Sequence, residues 1–262
     1  MALSSEQISR AADMLASARR SGGALDGLPA DLKPQTMKEA EAIRDGLAFR
    51  LGGRPIGWKA GFTSPAAVKA PGYLGYMTGP MFAETLLANP ATVKRSALHF
   101  MFVEAEVAFR MAQALPARGK PYSEGEVVDA VGTAMGAIEL AGSSFREPMA
   151  AGGTGLTADL GAAYAFIPGP AIADWRKRDL TKIGVELLFD GKSVGRGLEG
   201  EGRCNPVEVL VNLANKLAAA GRGLQSGMLV TTGAAAAPAP AGTTRVAVAR
   251  FDGIGDVTLK FS

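Results

Sequence analysis

A chain of 262 residues, 47% hydrophobic and 20% charged, has the material for a substantial buried core, which excludes disorder as a class. Its formal charge of +3 comes from scattered Lys and Arg with no basic stripe interleaved with aromatics, so nucleic acid is not an expected partner. One cysteine, Cys204, excludes an intrachain disulfide and a thiolate zinc cluster, and one histidine, His99, excludes a multi-histidine site, so any metal must rest on carboxylates.

In chain order, Ser4 with Gln7 opens a first helix, weakly amphipathic through Ile8, Ala12 and Leu15 and suited to a subunit contact; Thr36 with Glu39 opens a second over about 37–51, stopped by Gly52 and Gly53. IGWKAGF (56–62) and VEAEVAF (103–109) read as strands, and Ser123 with Glu126 starts a third helix. AIEL (137–140), AYAFIP (163–168) and VELLF (185–189) are further strands, the last followed by an Asp190-Gly191 hairpin turn. GRGLEGEGR (195–203) has no Lys-Ser/Thr leading into a helix, so it is no phosphate loop and reads as a mobile one. Asn205-Pro206 with Glu208 caps a fourth helix that runs to Gly221. MLVTTG (228–233), TRVAVARF (244–251) and DVTLKF (256–261) complete the strands, with AAAAPAP (234–240) as a surface loop. Helices gather early and then appear singly among many strands, which predicts an α+β fold with a mixed sheet: a helical N-terminal segment, 1–53, packed on a β-rich body, 54–262. No apolar run reaches the roughly 18–20 residues of a membrane span, and the N-terminus lacks signal-peptide order, so a cytoplasmic protein with no membrane partner is expected.

Strand alternation puts Met101, Val103, Ala105, Val107 and Phe109 in one apolar row and Glu104 and Glu106 together on the other face. Those two carboxylates, with Cα atoms about 6.6–6.8 Å apart, can reach one hard cation. Left unpaired at about 4 Å they would cost on the order of 4 kcal/mol at an effective dielectric of ~20; a solvated edge strand is the plainer alternative. Glu139, between Ile138 and Leu140 and flanked on its own face by Ala137 and Ala141, offers a third carboxylate. Three such groups suit Mg²⁺ or Mn²⁺. Lys59 lies in the apolar strand before Gly61, Thr63 and Ser64; it either snorkels to the surface or is held beside anions as an acid-base residue.

GWKAGFTS, VEAEVAF, AIEL and LANKLAAAGRGLQSGMLVTTGA, in this order over about residues 35–262, resemble the motifs of the 2-keto-4-pentenoate hydratase and 4-oxalocrotonate decarboxylase family of the fumarylacetoacetate hydrolase superfamily. The resemblance implies a mixed β-roll, Mg²⁺ or Mn²⁺ on Glu104, Glu106 and Glu139, Lys59 as the proton-transfer residue, and a homo-oligomer or a complex with a homologous decarboxylase. Phe62, Thr63, Ser64, Asp159, Thr232 and Gly233 are the positions expected to meet substrate, although Phe62, like Trp58, also reads as core and Asp159 equally as a loop brace. His99 reads as a surface or strand-entry residue.

The expected activity is hydration of a 2-hydroxy-2,4-dienoate to a 2-oxo acid, as in aromatic compound catabolism. Decarboxylation of a 2-oxo-dioate, acylpyruvate-type C–C hydrolysis and a non-catalytic partner subunit are the alternatives. Three departures bear on the choice. Gly79 and Pro80 stand where many members carry two aspartates, Leu160 and Ala162 replace an Asn and a Ser after Asp159, and Ala234 replaces a Ser after Gly233. Each substitution makes the substrate shell more apolar.

Overall fold

The capping boxes read from the sequence are formed in the computed structural model, which describes residues 2–97 and 99–262. Ser4 and Gln7 close the box of α1 (Ser5–Ser21), and Thr36 and Glu39 that of α2 (Met37–Leu51); each helix ends on a left-handed glycine, Gly22 and Gly52. The chain continues through β1 (Pro55–Gly61), a one-turn helix α3 (Pro65–Val68), β2 (Met77–Phe82), β3 (Ala91–Val93), β4 (Phe100–Met111), α4 (Glu124–Ala130), β5 (Val131–Ser143), α5 (Pro148–Ala158) and β6 (Ala163–Ala171). It closes with β7 (Val185–Phe189), β8 (Lys192–Arg196), α6 (Pro206–Ala219), β9 (Leu229–Ala234), β10 (Ala239–Pro240), β11 (Val246–Phe251) and β12 (Gly255–Phe261).

Two mixed sheets result. The larger has the order β2-β1-β9-β4-β5-β6 with β10 on β4, and the smaller β3-β12-β11-β7-β8; β1 runs parallel to β9 and β3 parallel to β12. The apolar row of β4 is buried in the main core with Trp58 of β1, Ile138 and Leu140 of β5, and Phe251, Val257 and Leu259 of the second sheet. Its glutamates therefore face away from that core, toward the side covered by α2, α5 and the turn after α5. A separate cluster of Leu15, Ile43, Leu47, Phe145 and Leu160 seats α1 and α2 there. Arg44 of α2 adds a polar tie: it donates to Thr78 Oγ1 at 2.8 Å and lies over the Trp58 ring.

Two loop expectations are corrected. AAAAPAP is no surface loop: Ala235 and Ala236 are buried, and Ala239 and Pro240 pair with Val103 and Phe102, because small apolar side chains fit against β4. GRGLEGEGR is tied down as well. Its first two residues end β8, and the buried Arg203 at its far end donates to the carbonyls of Ala235 and Leu180. His99 is exposed just before β4, as expected.

Candidate active site

Strand register assembles the charged cluster. Glu104 pairs directly across the ladder with Glu139, and Glu106 with Ala137 on one side and Ala234 on the other. Two carboxylates opposed across antiparallel strands repel, so this arrangement needs positive charge nearby. Lys59 supplies part of it: Nζ lies 2.8 Å from Glu139 Oε1 and 4.0 Å from Glu104 Oε2. Lys59, Glu106 and Glu139 are buried, while the Glu104 side chain keeps 20% of its exposure.

Each acid is held differently. Glu106 Oε2 accepts the backbone N–H groups of Thr232 at 2.9 Å and Gly233 at 2.8 Å, and Glu139 Oε2 accepts Thr231 Oγ1 at 3.3 Å. Gly233 reaches this position with φ of 102°, and a Cβ there would stand 2.2 Å from Thr63 Oγ1. Of the other oxygens, Glu106 Oε1 is buried without a hydrogen-bond partner, and Glu139 Oε1 faces the Lys59 ammonium.

Burial pushes Glu104 and Glu106 above the usual carboxylate range and the neighbouring acids add to it, against the opposing pull of Lys59; the effect is strongest at Glu106. On Lys59 burial acts toward loss of the proton, but the three glutamates outweigh it and hold the ammonium charged. Three acids and one ammonium leave two negative charges uncompensated, the charge of one divalent cation. One oxygen from each glutamate lies within 4.8 Å of the others, a span that a hard cation with ligands at about 2.1–2.5 Å can draw together. The donor set, the open oxygen of Glu106 and the charge fit such an ion.

Among the remaining expected residues, the polar groups are already engaged. Thr63 donates to the Thr232 carbonyl at 2.7 Å, Ser64 caps α3 through Ala67 N, and Thr232 donates to the Val107 carbonyl at 2.7 Å. Thr63, Thr232 and Gly233 thus brace Glu106 rather than present a free polar surface. Of the two readings of Asp159, the structure shows the contacts of the brace. It is fully buried, with Arg19 Nε at 2.6 Å on one oxygen and Ser143 Oγ and Ser144 N on the other, so it locks α1 to β5. Phe62 is half-buried, with φ of 55°, and packs on Met77, Leu156 and Ala162.

Three residues of the site were not picked out from the sequence. Thr231 has a signal in retrospect, a hydroxyl beside Thr232 in a strand that must run next to β4. Met77 and Leu156 have none, since their role depends on which strand and helix meet over Lys59.

No family model matches the chain. A 4-oxalocrotonate decarboxylase from Pseudomonas sp. is 28% identical over 235 residues, covering 88% of this chain and 89% of the relative. A 2-keto-4-pentenoate hydratase from Burkholderia vietnamiensis is 28% identical over 222 residues, covering 85% and 84%. Among solved structures, 4-oxalocrotonate decarboxylase from Pseudomonas putida G7, complexed with magnesium and adipate, superposes with a TM-score of 0.86 at 23% identity over 99% of both chains. These likenesses, at 23–28% identity, agree with the resemblance carried by the motifs: the curated relatives bear hydratase and decarboxylase names of that family. The chain's fold is the mixed fold of the fumarylacetoacetate hydrolase superfamily.

Within that family fold, the departures noted in the sequence meet one another. A Cβ on Gly79 would lie 1.6 Å from the Leu160 carbonyl oxygen, and one on Gly161 2.7 Å from the Thr78 carbonyl carbon. β2 and the turn after α5 pack backbone to backbone, leaving no room for a side chain at Gly79 or Gly161.

Proposed function

We propose that this chain is a divalent-metal-dependent hydratase that adds water to a 2-hydroxy-2,4-dienoate. What carries the reading is the meeting of Glu104, Glu106 and Glu139 around the Lys59 ammonium. The three carboxylates would hold Mg²⁺ or Mn²⁺. Such an ion, when bound, stabilises negative charge on the carboxylate and C2 oxygen of a 2-oxo acid.

The protein's own groups then account for the protons. Hydration needs the C2 hydroxyl proton to leave and one to arrive at C5; the oxygen of water then adds at C4 and its proton at C3. Lys59, buried and held charged by its glutamates, is the ammonium we assign to this transfer; it gives up its proton once the glutamates' charge is neutralised. The amides of Thr232 and Gly233 fix the Glu106 carboxylate, so little reorganisation accompanies the charge changes. Met77, Leu156 and Ala162 limit water on the far side.

The purified chain with Mg²⁺ or Mn²⁺ should consume 2-hydroxypenta-2,4-dienoate and yield a product heavier by one water. Glu106→Gln should lose both ion binding and turnover; unchanged hydration by that variant would sink the proposal. Loss of CO₂ from a 2-oxo-dioate, the reaction in the name of the Pseudomonas relative, draws on the same charge stabilisation, and product mass separates it from hydration. Turnover by the chain alone excludes a purely non-catalytic partner role.

A further inference from the structure

Cys204 is the one thiol in the chain, and the proton chemistry leaves it unused. It lies just before α6, buried in the main core, and its Sγ stands 3.3 Å from the Thr232 carbonyl oxygen, within reach of an S–H donor. Burial pushes the thiol up, so near neutrality it keeps the proton that this contact needs. Thr63, arriving from the end of the strand that carries Lys59, donates its hydroxyl to the same oxygen at 2.7 Å.

That carbonyl and the N–H of Gly233 belong to one peptide unit, and the N–H donates to Glu106 Oε2 at 2.8 Å. The unit is thus held at both ends, by two side-chain donors on its oxygen and a carboxylate on its nitrogen. Thr232 and Gly233 fall where the register between β4 and β9 shifts, so ladder pairing alone does not set this peptide plane. Donors on an amide oxygen also polarise the amide and strengthen its N–H as a donor. The terminal torsion of a glutamate is broad, with no sharp rotamer wells, so the carboxylate orientation depends on what grips it. Here Oε2 is gripped and Oε1 is left without a partner.

We propose that Cys204 and Thr63 are positioning residues for the metal site: through the Thr232–Gly233 peptide they hold the Glu106 carboxylate in the orientation that leaves Oε1 to a divalent cation. The inference rests on the three-glutamate metal reading and adds to it the device that sets one ligand. The plainer role for Cys204 is that of a small core residue whose sulfur meets the carbonyl without consequence.

Calorimetric titration of the metal-free chain with Mn²⁺ and with Mg²⁺ near neutral pH separates the two, with thermal unfolding of the same samples as the measure of structure. Cys204→Ala and Thr63→Val each delete one donor and should each weaken Mn²⁺ and Mg²⁺ binding about two- to tenfold, the double variant more than either. Cys204→Ser and Thr63→Ser keep a donor and should bind within about twofold of the unaltered chain. Should Thr63→Val fail to fold, the Cys204 variants carry the test. A role confined to packing lowers the melting temperature and leaves ion affinity where it was. That result in Cys204→Ala, or serine variants that bind as weakly as the deletions, overturns the inference and leaves the metal site standing. If the unaltered chain binds neither ion, the metal-site reading falls and this inference with it.

Discussion

Lys59 Nζ stands 2.8 Å from Glu139 Oε1 with neither side chain more than 2% exposed, so each ion depends on the other for its charged state. Removing the cation alone leaves the carboxylates facing one another. Lys59→Met should therefore destabilise the metal-free protein by about 3–5 kcal/mol, with divalent ion restoring more stability to the variant than to the unaltered chain. Turnover should fall by roughly 10²–10⁴-fold if Lys59 carries the proton. Thermal unfolding with and without Mg²⁺, beside single-turnover rates, measures both; a variant that turns over normally would deny Lys59 its role.

Arg19 and Asp159 form the second buried ion pair, and its purpose is mechanical. Arg19 also donates to the carbonyls of Ala163, Gly142 and Asp159, so one guanidinium ties α1 to the end of β5 and the start of β6. Either single change, Arg19→Met or Asp159→Asn, should cost about 3–5 kcal/mol, and the double variant markedly less than their sum. KM for substrate should follow stability rather than the charge at 159. A selective rise in KM for Asp159→Asn in a fully folded sample would return Asp159 to the substrate shell.

Glu39 gives the fold an acid-range signature. Its carboxylate accepts the amides of Leu3 and Gln35 at 2.8 Å and of Thr36 at 3.1 Å, and the first two lower its pKa most, against a smaller opposing effect of burial. A folded value below the unfolded one means that its stabilisation is complete above the unfolded pKa and disappears as pH falls through the depressed folded value. Glu39→Gln should thus destabilise the protein near neutrality, and the gap to the unaltered chain should close as pH falls through and below the ordinary carboxylate range. Urea unfolding across that range reads the gap; a gap that widens on acidification contradicts the assignment.

These contrasts show what local chemistry could and could not reveal. The boxes at Ser4, Thr36 and Ser123 are complete within four residues, and the alternation of β4 is complete within ten, so helix starts and the facing of Glu104 and Glu106 were readable directly. α5 was missed because PMAAGGTGLTA is rich in glycine, and Gly152 breaks it with φ of 67°. β2 was missed because Gly79 and Pro80 are poor strand residues, tolerated here on the sheet edge. Asp159 could not be assigned from sequence because Arg19, its partner, lies 140 residues away. The hold on Glu106, with one oxygen bound by β9 amides and the other left open, likewise exists only once β9 is threaded between β1 and β4.

Leu160, Gly161 and Ala162 hold consecutive left-handed conformations, with φ of 60°, 63° and 56°, directly against β2. Only one of the three is glycine, so the turn stores strain beside the site. Ala162 is the position where relief should be simplest, since its Cβ contributes little packing compared with Leu160. Ala162→Gly should stabilise the protein by about 0.5–1 kcal/mol, the penalty a left-handed alanine carries relative to glycine. Gly79→Ala should do the opposite, and more severely, because its Cβ would meet the Leu160 carbonyl oxygen at 1.6 Å and neither backbone can yield without opening the contact between β2 and the turn. Denaturant midpoints of the two variants, with an unchanged slope, check the pair. A destabilised Ala162→Gly would mean that the turn is held by side-chain contacts stronger than its backbone strain.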